Sequence, residues 1–318
     1  MLRIEPVRPG DRDRAVSVLL GRAVPPRQVH ALLDALCGPR GAEYMFWCAR
    51  GLRGIRAAAM GHLGPGRIAT VFHSRPRRDR DVRVLSELLS RMTEAIFEAD
   101  CVYVQSLVPP SQRLAAEVCA GAGYAYLAQL IYLRLPVRPA PTVPADALDW
   151  KTVDGTGDEL LKRVIAETYV DSMDCPGLVG LRSMDDVLAG HRASGVYTPA
   201  GWLLPHKGGE CVGCILVNDA GERSAGTDVV YLGVRPPWRR QGLARAMLAR
   251  AVAYAASRRK SSIALAVDAA NTPAVNLYRS AGFTETDRRD VWAKCRLRDG
   301  QPGRDLRGGE GGSWTNCA

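Results

Sequence analysis

This chain is poor in lysine and in phenylalanine, and it has no long apolar run. Only five of its 43 basic residues are lysine; the rest are arginine. That bias reads as coding composition rather than as a nucleic-acid signature, and no nucleic-acid partner is expected from it. No apolar run approaches the roughly 20 residues that cross a bilayer, so no membrane partner is expected. The first residues, MLRIEPVRPGDRDR, mix acids and bases around no apolar centre, so they do not read as a secretory signal. The expectation is a soluble, cytoplasmic protein. The nine cysteines, at 37, 48, 101, 119, 175, 211, 214, 295 and 317, are odd in number and irregular in spacing, which argues against a disulfide framework. Cys211-Val-Gly-Cys214 stands alone, in a strand-like run where its two thiols are expected on opposite faces. It reads as buried apolar cysteine, with no metal site.

What is present is globular. Hydrophobic residues make up 47% and charged residues 24% of 318, enough for two domains with their own cores. Residues 1–140 hold 20 arginines against 12 acids, so most of the net charge of +10 belongs to the first half. A basic face of that kind reads as solvated surface or as a docking face for an acidic partner.

In chain order, strands are expected at 2–8, 44–49, 56–63, 67–73, 102–107 and 124–135, and helices at 11–20, 27–36, 84–97 and 111–121. Four prolines between 136 and 144 mark a linker. The order then repeats. Strands are expected at 148–153, 201–206, 211–218, 227–234, 262–267 and 290–297. Helices are expected at 158–169, from the N-cap Ser183 to 191, at 242–257 and at 272–281. Ala281-Gly282-Phe283 matches Ala122-Gly123-Tyr124 at an offset of 159 residues, with the same element order around both. The expected domains are 1–137 and 147–298, joined by a linker at 138–146 and followed by a disordered tail at 299–318, rich in glycine and charge.

One stretch organises this pattern. In VVYLGVRPPWRRQGLARAMLARA, from Val229 to Ala251, a β-branched strand is stopped by Pro236 and Pro237. A basic turn with Gly242 follows, and then a helix with Leu243, Met247, Leu248, Ala251, Tyr254 and Ala255 on one stripe. The first turn of a helix has unpartnered N–H groups and the positive end of its dipole, and a glycine there lets a ligand reach the backbone. Flanked by arginines, this suits a phosphate or pyrophosphate. No Gly-Lys-Ser/Thr follows, so the turn is not a Walker loop, and its single glycine rules out a dinucleotide fingerprint.

Arg239-x-x-Gly242-x-Ala244, preceded by Val234-x-Pro236-x-Trp238, resembles the acetyl-CoA loop of the GNAT superfamily of N-acetyltransferases. Asn271-x-x-Ala274-x-x-Leu277-Tyr278-x-x-x-Gly282-Phe283 resembles the second motif of that superfamily. Pro273 fits a first helical turn and Gly282 a C-terminal cap, whereas Asn271 and Tyr278 have no such structural account. The resemblance implies an α/β (α+β) fold of two tandem GNAT-like domains, each a mixed, mostly antiparallel sheet flanked by helices. The first copy reads as degenerate: its loop, SRPRRDRDVR, has no glycine, and Cys119 stands where Tyr278 stands in the second. Its five arginines between 75 and 83 leave open a phosphorylated ligand, but a structural or substrate-covering role is the preferred reading.

By resemblance, acetyl-CoA is the co-substrate and no metal is needed. The cofactor-binding residues are Leu232, Gly233, Val234, Arg239, Arg240, Gln241, Gly242, Leu243, Ala244, Asn271 and Tyr278. Tyr278 is the expected acid for the departing thiolate. Asp228 is the first choice for the base, ahead of Glu210 and Glu222, with His191 and His206 also open; a water is the alternative. Asp171, Asp174 and Cys175 are expected to line the pocket of the amine acceptor, whose identity stays open, as does the oligomeric state. A non-catalytic acetyl-CoA-sensing module, using the basic half to hold an acidic partner, is the alternative function.

Overall fold

The computed structural model describes residues 2–21, 25, 43–138, 148–153, 158–221 and 224–296. The helix expected at 27–36, most of the linker, the tail and Glu222 lie outside the described residues. The first half runs β1 (Arg3–Pro6), α1 (Arg12–Leu20), β2 (Glu43–Gly51), β3 (Gly54–Gly64), β4 (Ile68–His73), α2 (Asp79–Glu98), β5 (Tyr103–Val108), α3 (Arg113–Gly121) and β6 (Ala125–Pro136). The second runs β7 (Asp149–Thr152), α4 (Asp158–Thr168), α5 (Met184–Ala193), β8 (Trp202–Lys207), β9 (Glu210–Cys211), β10 (Gly213–Asp219), β11 (Gly226–Val234), α6 (Leu243–Ser257), β12 (Ser262–Asp268), α7 (Thr272–Ser280) and β13 (Thr284–Cys295).

These elements follow from local chemistry. Helix α6 is built of good helix formers, and Leu243, Met247, Leu248, Ala251 and Ala255 are buried at the expected spacing. Ser183 caps α5 by accepting from the Asp186 amide at 3.1 Å. Gly282, at φ +91°, takes the left-handed position after α7. Asn271 has a structural account after all. Its Oδ1 accepts from the Ala274 amide at 3.3 Å, which makes it the N-cap of α7. The CxxC expectation is corrected too. The ladder breaks at Val212 between β9 and β10, so alternation slips by one. Cys211 and Cys214 both enter the core under α4 and α5, while Val212 joins the core under α6 and α7. Both are free, buried thiols, and burial pushes both upward from the ordinary cysteine value.

All the strands join one sheet, in the order β1-β2-β3-β4-β5-β13-β6-β12-β11-β10-β8-β7, with β9 beside β8. Neighbouring strands are antiparallel except β4 with β5 and β11 with β12, which are parallel. The closing strands are exchanged between the halves: β13 lies against β5 of the first half, and β6 lies against β12 of the second. The 159-residue offset survives in the register. Arg134 faces Thr284 and Ala125 faces Ala293, and shifting either pair by the offset produces the other. A pseudo-twofold axis therefore passes between β6 and β13. Side chains reinforce the exchange: Lys294 Nζ bonds Glu94 at 3.1 Å, Arg296 donates to the Phe97 carbonyl at 2.7 Å, and Gln129 donates to Asp290 at 2.8 Å.

Because β13 is a central strand for both halves, they should unfold together. Ala293 is fully buried between Gln105 and Ala125. Ala293→Asp places an unpaired charge there and is expected to cost about 4 kcal/mol or more. Calorimetry should show one transition at a much lower temperature; a variant in which one half melts as wild type would contradict the coupling.

Candidate active site

Strands β11 and β12 pair through three residues only: Gly226 with Ser262, Thr227 with Ile263 and Asp228 with Ala264. Beyond that rung they diverge. β11 stays paired to β10 on its other side out to Val234, so its inner edge carries free backbone groups from Val229 onward. The gap is a cleft of about 500 Å³. Its walls are residues 229–234 of β11 and 265–267 of β12, the turn and first residues of α6, one face of α7, and the loop 168–174 after α4.

The turn into α6 is shaped for an anion. Gly242 is left-handed at φ +78°, and nothing lies within 4 Å of where a Cβ would stand. Arg240 is left-handed as well, at φ 64°. Among the described residues, the N–H groups of 240–244 have no acceptor. The equivalent turn of the first half is closed. It is three residues shorter, and the Asp81 carboxylate accepts from the amides of Arg77 at 3.0 Å and Arg78 at 3.1 Å. The chain's own carboxylate takes the amides there. At the position matching Tyr278, Cys119 is fully buried and its thiol is pushed up to about 12 by burial.

Ten of the eleven expected cofactor residues line the cleft; Gln241 does not, its side chain being turned to Lys207 and the Pro237 carbonyl. Arg239 lines it but is committed elsewhere. Its Nε donates to the Val234 carbonyl at 3.1 Å, and its Nη2 to those of Thr168 at 3.0 Å and Val170 at 2.7 Å. It therefore clamps the loop after α4 onto the end of β11. Gly233 allows the close approach, since a Cβ there would meet Thr168 Oγ1 at 2.7 Å. Thr168 in turn accepts from the Tyr231 hydroxyl at 2.6 Å and donates to the Ile165 carbonyl at 2.7 Å.

Tyr278 lies on α7 with its ring 5.9 Å from that of Phe283, and only 7% of it is exposed. Its hydroxyl has no hydrogen-bond partner among the described residues, and it borders the cleft. Burial first, and the Asp174 charge second, push that hydroxyl above the ordinary tyrosine value, so it stays protonated at neutral pH.

The acids and histidines separate. Asp228 is not among the lining residues: it sits on the last closed rung, just before the strands part. Burial raises its carboxyl, opposed by Arg134. Asp171 and Asp174 line the cleft as expected, and Cys175 does not. Glu210 and His206 lie outside the lining as well. His191 is outside too, with its ring 5.4 Å from Tyr231; burial and Arg182 lower its value to about 4, so it is neutral. Sequence reading missed Asp268, a fully committed carboxylate at the end of β12, because nothing local marks a strand-end aspartate as a partner for a loop 93 residues away. Among the described residues no group of three or more His, Cys, Asp or Glu is placed to hold a metal ion.

This arrangement matches known proteins. Residues 167–283 fit the model of the Acetyltransferase (GNAT) family. The chain carries a GNAT acetyltransferase domain. GNAT acetyltransferases use acetyl-CoA as co-substrate. The mycothiol acetyltransferase of Thermobispora bispora is 32% identical over 178 residues, which are 54% of this chain and 58% of that protein. The chain thus spans little more than half the length of such curated relatives. A GCN5-related N-acetyltransferase from Sphaerobacter thermophilus superposes with a TM-score of 0.62 at 21% identity, over 92% of this chain and 95% of that one. A tandem GNAT protein from the clavulanic acid biosynthesis pathway superposes with a TM-score of 0.51 at 16% identity, over 93% and 98%. The last two likenesses concern the fold alone.

Gly242→Glu puts a carboxylate beside the free amides of 240–244 and is expected to weaken acetyl-CoA binding at least about a hundredfold, by charge-assisted bonds lost and repulsion gained. Gly242→Asn, which tolerates the left-handed backbone, controls for strain. Calorimetry finding wild-type affinity in a folded Gly242→Glu variant would remove the turn from the binding site.

Proposed function

We propose that this chain is an acetyl-CoA-dependent N-acetyltransferase that acetylates a primary amine of a small molecule or peptide in a ternary complex. The reading is carried by one observation: the strands part beside five unpartnered loop amides, and an unpartnered tyrosine hydroxyl borders the same cleft. The free edge of β11 suits the amide-bearing arm of the co-substrate, which pairs there as an added strand. The turn amides and Arg240 suit its pyrophosphate. Successive amides of a strand point to opposite edges, so one of Gly233 and Val234 faces the cleft and polarises the thioester carbonyl.

The acceptor must lose a proton before it attacks, since a primary amine has a pKa of about 10. Asp228 is our candidate for that proton, reached through water. Val229 packs under α6, so Asp228 faces the opposite side of the sheet, where the acceptor would approach from α4 and α5. Tyr278 gives its proton to the departing sulfur. The mycothiol acetyltransferase named above is a precedent for acetyl transfer, but the acceptor here is not inferred from it.

The test is release of free CoA across a library of amines. Acetyl-CoA binding with no release from any amine would make the chain a sensor rather than an enzyme. In an active pair, Tyr278→Phe is expected to lower kcat by about a hundredfold and leave acetyl-CoA affinity unchanged. Because the hydroxyl is held above its ordinary value, no alkaline limb from it is expected below pH about 10. A limb near pH 8.5 that vanishes in Tyr278→Phe, or a variant with full kcat, would remove Tyr278 from this role.

A further inference from the structure

The charged residues that line the cleft divide by origin. Arg239, Arg240 and Arg245 come from the turn and first residues of α6, while Asp171 and Asp174 come from the loop after α4. Positive charge in the cleft thus comes from the turn and negative charge from the loop. Arg239 gives its hydrogen bonds to carbonyls and none to the acids.

Asp174 is exposed, but hydrogen bonds hold it in place. Its amide donates to Ser172 Oγ at 3.2 Å, and its Oδ1 accepts from the Asp268 amide at 3.3 Å. The buried Asp268 carboxylate accepts from the amides of Cys175 at 3.1 Å and Ala270 at 2.9 Å, which pins the loop to the end of β12. Two non-glycine residues in this loop are left-handed, Asp171 at φ 52° and Cys175 at φ 45°. Such strain persists only where surrounding bonds impose it. Among the described residues, no lysine or arginine forms an ion pair with Asp174 or Asp268. Asp174 lines the cleft, and desolvation, opposed by the bond from the Asp268 amide and aided by the Asp268 charge, raises its carboxyl above the ordinary range. The second observation is independent of the acids: Tyr278, more than nine-tenths buried and with no hydrogen-bond partner for its hydroxyl among the described residues, lines the same cleft.

We propose that Asp174, positioned by Asp268, is the subsite for the acceptor's ammonium group, and that it selects amines with no carboxylate on the neighbouring carbon over free α-amino acids. The proposal rests on the N-acetyltransferase reading. An ammonium supplies the cation that the two carboxylates lack. A carboxylate one carbon away would be carried in beside them and repelled, so the same charge that binds the amine excludes the amino acid. The acceptor class is then amino amides, amino sugars and diamines.

The test uses matched pairs, each α-amino acid against its primary carboxamide, with the full chain saturated in acetyl-CoA. The wild type is expected to favour the carboxamide by about thirtyfold or more in kcat/KM. Asp174→Asn should lower carboxamide kcat/KM by about ten- to a hundredfold, chiefly through KM, and shrink the preference to within about threefold. Asp174→Glu should keep the preference, and calorimetry should give every variant the wild-type acetyl-CoA affinity. Equal use of acid and amide by the wild type, or a preference that survives Asp174→Asn, overturns the subsite and leaves the enzyme reading standing. Acetyl-CoA binding with no turnover of any pair overturns both.

Discussion

Strand β11 stops pairing with β12 after three residues, and that separation governs the second half of the molecule. Two parallel strands that continued together would satisfy each other's backbone groups and leave no cleft. Once they part, β11 has one edge paired to β10 and one edge free, and everything around the gap follows from keeping it open. Arg239 bonds three carbonyls and ties the end of β11 to the loop after α4. Gly233 lets Thr168 approach the strand, and Thr168 holds the Tyr231 hydroxyl. The arginine of the motif therefore shapes the site.

The two halves share that plan and differ in what fills it. In the first half the turn is shorter and Asp81 takes amides of the turn itself, which caps α2 and removes the donors a phosphate would need. Cys119 is sealed in the core where Tyr278 meets a cleft. The first half nonetheless supplies β6, the strand that closes β12 on its far side, and receives β13 in return. Neither sheet is complete without the other, so a half that has lost the features of a binding site keeps a structural task.

Charge of both signs lines the cleft, positive from the turn and negative from the loop 168–174. Tyr278 lines it as well, and burial keeps its proton on.

The sequence by itself determined what is local. Hydrophobic periodicity, prolines and cap residues placed most of the elements, the Ser183 cap and the left-handed Gly282. The two motifs marked ten of the eleven expected residues that reach the cleft, because a turn and a helix of fixed spacing carry their own geometry. The internal repeat was legible as an offset, and the register preserves it. Tertiary structure decided the rest. Strand alternation across 211–214 slipped because a ladder break depends on what pairs alongside. β13 begins at Thr284, ahead of the expected 290, because β6 pairs with the residues before Asp290. Arg239 is a clamp and Gln241 turns to Lys207, both of which depend on contacts made after the chain folds back. The exchange of β6 with β13 and the Asp174–Asp268 contact join residues about a hundred or more positions apart, and no local pattern encodes a pairing whose partner is chosen only when distant segments meet.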